Sequence, residues 1–189
     1  MNGKYEDETP PLVSGSTRQS STNNAALTTV RDLAPTGSVA LVYEGLSALP
    51  AFNPDDDHDP VPGAVAELRQ QISDADVVVF STPEYAGTLP GSLKNLLDWT
   101  VGSSVLARKP VAWINVASPG RGHGALATLR SVLGYVDAEV LDGACIDLPI
   151  GRDLVAAGAV GTQPEREALA SWWVTMQEHW PANKLDETR

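Results

Sequence analysis

The chain has 189 residues, 42% of them hydrophobic and 20% charged, which is enough for one domain with a substantial core. Its formal net charge of −11 repels phosphate backbones and argues against general binding of DNA or RNA. No apolar run approaches the roughly 20 residues of a membrane span, the N-terminus does not look like a signal peptide, and the single Cys145 suits a reducing compartment, so we expect a cytoplasmic protein.

Short apolar runs alternate with amphipathic ones along the chain. Strands are predicted at residues 11–16, 38–45, 76–82, 110–118 and 139–149, the last of which could be bulged at Gly143. Helices are predicted at residues 23–34, 64–75, 90–101, 125–136 and 164–179. This alternation predicts an α/β domain over residues 11–180, with a parallel sheet covered on both faces and tails at 1–10 and 181–189.

Two smaller features have competing interpretations. The acidic run within residues 51–63 could hold a cation, but it lacks the ligand spacing of a calcium loop, and a solvated loop is the favoured interpretation. The pair Trp172-Trp173 is expected to pack in the core rather than to form a ligand platform, and Cys145 to be a small buried residue.

The segment that follows the first strand, "SGSTRQSSTNN" (14–24), combines polar side chains with the start of a helix. Free N–H groups and the helix dipole at that start attract anions, so a terminal phosphate could bind there. An ordinary N-cap with surface serines explains the same residues equally well. The candidate phosphate ligands are Ser16, Arg18, Ser21, Thr22 and Asn23.

Two further segments follow later strands: "PEYAG" (83–87) after the third and "SPGRGHGA" (118–125) after the fourth. In an open parallel sheet of order 2-1-3-4-5, ligands bind beyond the carboxyl ends of strands 1 and 3, so these segments should be neighbours of residues 14–24. A phosphate site beside a backbone-rich aromatic loop suits a mononucleotide with a large planar ring, such as a flavin.

Two stretches resemble signatures of the NADPH-dependent FMN reductase family, which includes chromate, quinone and azo reductases. "GSTRQSSTN" (15–23) is similar to its GSxRxxSxN loop, and "PEYAGTLPGSLKNLLDW" (83–99) to its PEYNGSxPGxLKNxLDW segment. "SPGRGHG" resembles a third loop of the family. The resemblance spans about residues 11–180 and implies a flavodoxin-like three-layer sandwich.

The resemblance also implies FMN as bound cofactor and NADPH or NADH as co-substrate. Electrons would pass to a small-molecule acceptor, a quinone, free flavin, azo dye or metal oxyanion, with no catalytic acid or base and no metal. It implies a homodimer or homotetramer, for which Leu93, Leu97 and Trp99 are candidate contacts, although core packing explains the leucines as well. By the same resemblance, the isoalloxazine would be framed by Pro83, Glu84, Tyr85, Ala86, Gly87, Ser118 and Gly120.

The chain departs from the family pattern at two site positions. Ala86 stands where the family usually has asparagine, and His123 where a glycine is common, so His123 would either polarise the flavin edge or be a plain exposed residue. The Glu84 carboxylate is expected to face solvent. A flavodoxin-like electron carrier and a degenerate member that binds no flavin remain alternative functions.

Overall fold

The structure, a computed structural model, describes residues 11–18 and 20–180, and the predicted tails at 1–10 and 181–189 lie outside the described residues. The strands are β1 (Pro11–Ser14), β2 (Leu41–Tyr43), β3 (Val78–Ser81), β4 (Pro110–Asn115), β5 (Glu139–Val140), β6 (Ile146–Asp147), β7 (Val155–Ala156) and β8 (Ala159–Val160). The helices are α1 (Thr22–Asp32), α2 (Gly63–Asp74), α3 (Gly91–Val101), α4 (His123–Tyr135) and α5 (Gln163–His179).

The main sheet is parallel and has the order β2-β1-β3-β4-β5, which confirms the predicted topology. Strand β1 lies between β2 and β3, where Leu12 pairs with both Val42 and Val79. All four residues of β1 and of β3 are buried, as expected for strands covered on both faces.

Helices cover the sheet in two layers. Because side chains alternate along a strand, Val78 and Phe80 of β3 pack towards α2, α3 and α4, whereas Val77 and Val79 pack towards α1 and α5. The indole N–H groups of α5 tie its layer to the rest of the fold. Trp172 donates to the carbonyl of Ala144 (2.7 Å), and Trp173 donates to that of Val30 (2.8 Å), so this pair belongs to the core as predicted.

The predicted fifth strand, residues 139–149, is two short strands, and the interruption is centred on Gly143, where the sequence suggested a bulge. Strands β5 and β6 both pair with β4, and a turn of 3₁₀ helix at Asp142–Ala144 separates them. In this turn Ala144 N–H donates to the carbonyl of Leu141 (2.9 Å). This local hydrogen bond takes the place of strand pairing with β4. Prediction also missed the β7–β8 hairpin, a two-residue turn in a short run without period-two alternation.

Helix α3 does not present Leu93, Leu97 and Trp99 to another subunit. All three side chains are fully buried within the chain, so their prediction as subunit contacts is wrong and core packing is the explanation. The Trp99 indole N–H donates to the carbonyl of Pro50 (2.9 Å), and its ring meets that of Phe52 edge-on at 4.9 Å. The segment around Pro50 therefore seals this face of α3.

The acidic loop is only partly the solvated run that its composition predicts. Asp57 forms an ion pair with Arg69 of α2 (2.5 Å), and both side chains are mostly buried. The Arg69 guanidinium also donates through Nε and Nη2 to the carbonyl of Trp99 (2.9 and 2.7 Å). Arg69 thus satisfies an otherwise unpaired acceptor near the end of α3 and fastens the loop to it.

No helix in the described part of the chain is both long enough and apolar enough to span a bilayer.

Candidate functional site

Three loops leave the carboxyl ends of β1, β3 and β4 at one edge of the sheet. The first loop comprises residues 15–18 and 20–21, the second loop residues 82–90, and the third loop residues 116–122. The first and second loops touch at Gly15, whose N–H donates to the carbonyl of Ser81 (2.8 Å). A Cβ atom on Gly15 would overlap the hydroxyl of Thr82 and lie 2.7 Å from its Cβ, so only glycine fits there.

Polar groups of the first loop gather around the start of α1. The Ser21 hydroxyl is the N-cap and accepts from Asn23 N–H (3.2 Å), while the Ser16 hydroxyl accepts from Arg18 N–H (3.3 Å). The exposed Arg18 guanidinium curls back and donates to the carbonyl of Ser20 (2.9 Å). Thr22 begins the helix and is half-buried. A guanidinium and a helix N-terminus at one point of the rim are suited to an anion.

Asn23 lies beneath the first loop, with its side chain buried. Its Oδ1 is 2.9 Å from the hydroxyl of Ser81, which also lies 2.8 Å from the carbonyl oxygen of Ile114 on β4. This contact joins the first turn of α1 to the ends of β3 and β4. Of the predicted phosphate ligands, Asn23 is therefore engaged below the loop, whereas Arg18 is exposed at the rim.

The second loop turns back sharply at its tip. Tyr85 and Thr88 exchange two backbone hydrogen bonds (both 3.0 Å), and the residues between them, Ala86 and Gly87, have φ of 51° and 79°. Positive φ at both central positions is the mark of a type I′ turn, for which Asn-Gly is the preferred pair. An asparagine at position 86 would thus serve the backbone, and Ala86 carries a conformational cost that sequence reasoning missed.

Replacing Ala86 with asparagine is expected to stabilise the protein by about 0.5–1 kcal/mol, because asparagine tolerates the left-handed region better than alanine does. Urea denaturation followed by circular dichroism measures the change. Ala157 is a matched control, because it precedes Gly158 in the β7–β8 turn with φ of 50°. Ala157→Asn should stabilise by a similar amount, and a destabilised A86N protein would contradict the explanation.

Glu84 joins the second loop to α4. It is exposed, as predicted, but it also forms hydrogen bonds that sequence reasoning missed. Its Oε2 accepts from the backbone N–H of Gly124 (2.8 Å) and from that of Ala125 (3.4 Å), both in the first turn of α4. The hydroxyls of Thr88 and Thr128 meet at 2.8 Å nearby. The side chain of Glu84 is thus exposed yet fixed, because it caps the helix that follows the third loop.

The third loop is a turn held from below by Asn115. Arg121 N–H donates to the carbonyl of Ser118 (3.0 Å), and Gly120 has φ of 78°, the pattern of a type II turn with proline at its second position. The buried Asn115 amide accepts from Ala117 N–H (3.2 Å) and donates to the Asp147 carboxylate (2.6 Å). Ser118 and Gly120 are exposed at the rim, where they were predicted.

His123 is the first residue of α4 and is exposed. It lines a cavity of about 250 Å³ with the third loop, and a second of about 470 Å³ between α4 and β6. Cys145 lines the second cavity. Burial raises the pKa of its thiol to about 11, so it stays protonated near neutral pH and is a poor nucleophile.

The turns of the second and third loops have nothing packed over their glycines. At Gly87 and Gly120 a Cβ atom would meet no other atom within 4 Å, so both turns present bare backbone. Arg18 and the N-terminus of α1 supply the anion end. The residues present therefore fit a phosphorylated planar cofactor such as FMN. Within the described residues, no group of three or more histidine, cysteine, aspartate or glutamate side chains could hold a metal ion.

Two residues that organise the site were missed from sequence. Ser81 and Asn115 are the last residues of β3 and β4, and both are buried. In the sequence, the one feature that sets these two residues apart is a polar side chain at the end of an otherwise apolar strand. That pattern could have found them, because a buried polar group requires a partner.

The chain is similar to one known family and to several known proteins. Residues 12–150 match the family model described as NADPH-dependent FMN reductase. A quinone reductase of Pseudomonas putida is 35% identical over 143 residues, which cover 73% of each chain. FerB, a flavoenzyme NAD(P)H:(acceptor) oxidoreductase from Paracoccus denitrificans, superimposes with a TM-score of 0.70 and 26% identity over 91% of this chain and 98% of that one. A flavodoxin mutant from Pseudomonas aeruginosa shares the fold alone (TM-score 0.54, 16% identity, 90% and 96% covered).

Proposed function

The chain belongs to the NADPH-dependent FMN reductase family, and on that premise we propose that it is an FMN-dependent NAD(P)H oxidoreductase that reduces quinones. The observation that carries the proposal is the convergence of three loops at one edge of the sheet. One loop ends at a helix N-terminus with an arginine, and the other two present turns with open backbone. The name of the quinone reductase relative supports the choice of acceptor.

The phosphate of FMN is proposed to bind at the first loop. Arg18 would leave its contact with the carbonyl of Ser20 or share it, and would then supply charge-assisted hydrogen bonds. Ser16, Ser21 and Thr22 add hydroxyls beside the positive end of α1. Asn23 is proposed to support this loop through its contact with Ser81.

The isoalloxazine is proposed to lie against the second and third loops. The hairpin consumes the N–H of Tyr85, so the N–H groups of Ala86 and Gly87 at its tip are the proposed donors to the ring. Tyr85 is 54% exposed beside that tip and offers a flat wall, while Pro83 and Glu84 hold the approach to it. Ser118 and Gly120 would border the other side of the ring.

Bound FMN would supply the redox chemistry, accepting a hydride from NAD(P)H and reducing the acceptor. The chain's own part is to bind the phosphate, orient the ring through backbone donors and shield one face of it. No side chain is assigned as an acid or base, since none of those that frame the site needs to transfer a proton for a hydride to move.

The remaining properties are also proposals. We propose a homodimer or homotetramer, to which α3 would contribute exposed residues such as Val101, 57% exposed, rather than its buried leucines. We propose a cytoplasmic location, which suits a chain whose one cysteine, Cys145, has a half-buried thiol. Either NADPH or NADH would serve as co-substrate.

The test is to purify the protein with added FMN, record its visible spectrum, and add NADPH under anaerobic conditions without any partner protein. We expect a yellow protein that bleaches promptly and then turns over with benzoquinone, in a panel that also contains free FMN, an azo dye and chromate. A yellow protein that does not bleach with NADPH or NADH would indicate an electron carrier. A protein that takes up no FMN would overturn the proposed function.

Replacing Arg18 with alanine is expected to weaken FMN binding about tenfold to a hundredfold, the equivalent of losing ~1.5–3 kcal/mol of charge-assisted hydrogen bonding. Quenching of flavin fluorescence on titration measures the dissociation constant. Arg31→Ala is the matched control, because Arg31 forms an exposed ion pair with Asp32 (2.8 Å) at the far end of α1 and should not affect FMN. Unchanged affinity in R18A would remove Arg18 from the site.

A further inference from the structure

Three helices, α1, α3 and α4, begin at the edge of the sheet where the three loops meet, and of these only α4 is capped by a carboxylate. At the start of α1 the capping group is the neutral hydroxyl of Ser21. At the start of α4 the N-cap residue is Gly122, which has no side chain, and the carboxylate of Glu84 supplies the cap from another loop. The positive end of α4 is therefore already compensated by a negative charge, whereas that of α1 is not.

The contact between the second loop and α4 is also tight in its packing. A Cβ atom at Gly124 would overlap the carbonyl oxygen of Gly87 and lie 2.9 Å from its carbonyl carbon. The same two segments are joined by a pair of hydroxyls, those of Thr88 and Thr128. The Thr128 hydroxyl also donates to the carbonyl of Gly124 (2.9 Å). Three kinds of contact, a cap, a backbone approach and a hydroxyl pair, thus join the same two segments.

These contacts lie between the two turns that are proposed to flank the ring. Glu84 is two residues before the Ala86–Gly87 tip, and its partners Gly124 and Ala125 follow closely after the Gly120 turn. A change in the length of this bridge would alter the separation of the two turns. Small errors in such a separation weaken the binding of a rigid planar group.

We propose that Glu84 is a positioning residue for the flavin: its carboxylate bridges the second loop to the first turn of α4 and sets the spacing of the two turns on either side of the ring. The inference rests on the proposed function. Glu84 also closes the N-terminus of α4 to a phosphate, whereas the N-terminus of α1 has a neutral cap and lies next to the loop that carries Arg18.

If this bridge sets the spacing of the two turns, the length of the side chain at position 84 should affect FMN binding more than its charge does. Glu84→Asp keeps the charge but is one methylene shorter, so it should lose the contact with Gly124 and Ala125. Glu84→Gln loses the charge but keeps an oxygen at the right distance to accept a hydrogen bond. Glu84→Ala removes both. The control is Glu165→Gln, which takes a carboxylate from the first turn of α5 without touching the three loops.

The experiment uses the full chain and FMN as the probe, with the dissociation constant from fluorescence quenching and the visible circular dichroism of bound FMN as readouts. We expect E84A and E84D to weaken FMN binding by about tenfold or more and to change the visible dichroism. E84Q should retain most of the affinity and the wild-type spectrum, and E165Q should match the wild type. In the protein without FMN, the amides of Gly124 and Ala125 should exchange hydrogen faster in E84A and E84D than in E84Q.

Two results would overturn this inference while leaving the proposed function intact. One is wild-type affinity and dichroism in E84A and E84D, even with reduced thermal stability, because Glu84 would then be a helix cap and nothing more. The other is an E84D protein that behaves as wild type beside an E84Q protein that behaves as E84A, since charge rather than spacing would be responsible. A wild-type protein that binds no FMN would overturn the proposed function and this inference with it.

Discussion

Replacing Trp99 with alanine is expected to lower the free energy of unfolding by about 3–5 kcal/mol, a large share of the ~5–15 kcal/mol that holds a typical domain folded. The indole is fully buried, packs edge-on against Phe52 and donates to the carbonyl of Pro50 (2.9 Å). Its loss would leave a cavity under the segment around Pro50 and would remove one of the two hydrogen bonds that the Pro50 carbonyl accepts, the other coming from the Asn95 amide (2.8 Å). Denaturation by guanidinium, followed by circular dichroism, measures the change.

Two further variants make this prediction specific. Trp99→Phe keeps most of the ring volume and loses the N–H donor, so about 1 kcal/mol of the cost should remain. Val174→Ala changes an exposed position on another helix, α5, and should stay within about 0.5 kcal/mol of the wild type. Sedimentation of W99F should give the wild-type subunit number. A W99F protein of wild-type stability that dissociates would instead restore Trp99 as a subunit contact.

Replacing Gly15 with alanine is expected to cost about 1–3 kcal/mol of stability and to weaken FMN binding at least about tenfold. The new Cβ would lie 2.7 Å from the Cβ of Thr82 and 3.0 Å from Cδ2 of Leu93, inside contact distance of both. Either Thr82 or the first loop must move, and the hydrogen bond from Gly15 N–H to the carbonyl of Ser81 joins those two parts. Urea denaturation and FMN titration test the two effects separately.

Gly63→Ala is the control for Gly15→Ala. Gly63 begins α2, and a Cβ atom there would meet nothing within 4 Å. Because alanine is the better helix former, G63A should be at least as stable as the wild type and should bind FMN equally well. Equal behaviour of the two variants would show that the first and second loops do not need to approach so closely.

The alternation of strands and helices in the sequence was sufficient to predict a parallel sheet, and the resemblance to the reductase family implied its flavodoxin-like strand order. The continuous valines of β3 indicate a strand that is covered on both faces. Because parallel strands bring their carboxyl ends to one edge, the segments after β1, β3 and β4 were expected to be neighbours. These features are visible in sequence because each depends on neighbouring residues, and hydrophobic periodicity is detected over such short stretches.

The features that sequence reasoning missed depend on contacts between distant residues. The bond from Glu84 to Gly124 spans forty positions, and nothing in either segment alone predicts it. The burial of Trp99 depends on the segment around Pro50, so a helical stripe alone could not separate core from interface. The turn at Asp142–Ala144 interrupts a run that is apolar enough for a strand, and the Trp172 indole holds its last carbonyl.

That interruption has a consequence for the behaviour of the folded chain at high concentration. An exposed, continuous sheet border is a template on which a second molecule can add a strand, and such growth leads to fibrils. In the described sheet, one border is β2, three residues long, and the other is broken into the two-residue strands β5 and β6. Neither offers a ladder long enough to recruit another chain, so the broken fifth strand protects the native protein against edge-to-edge aggregation.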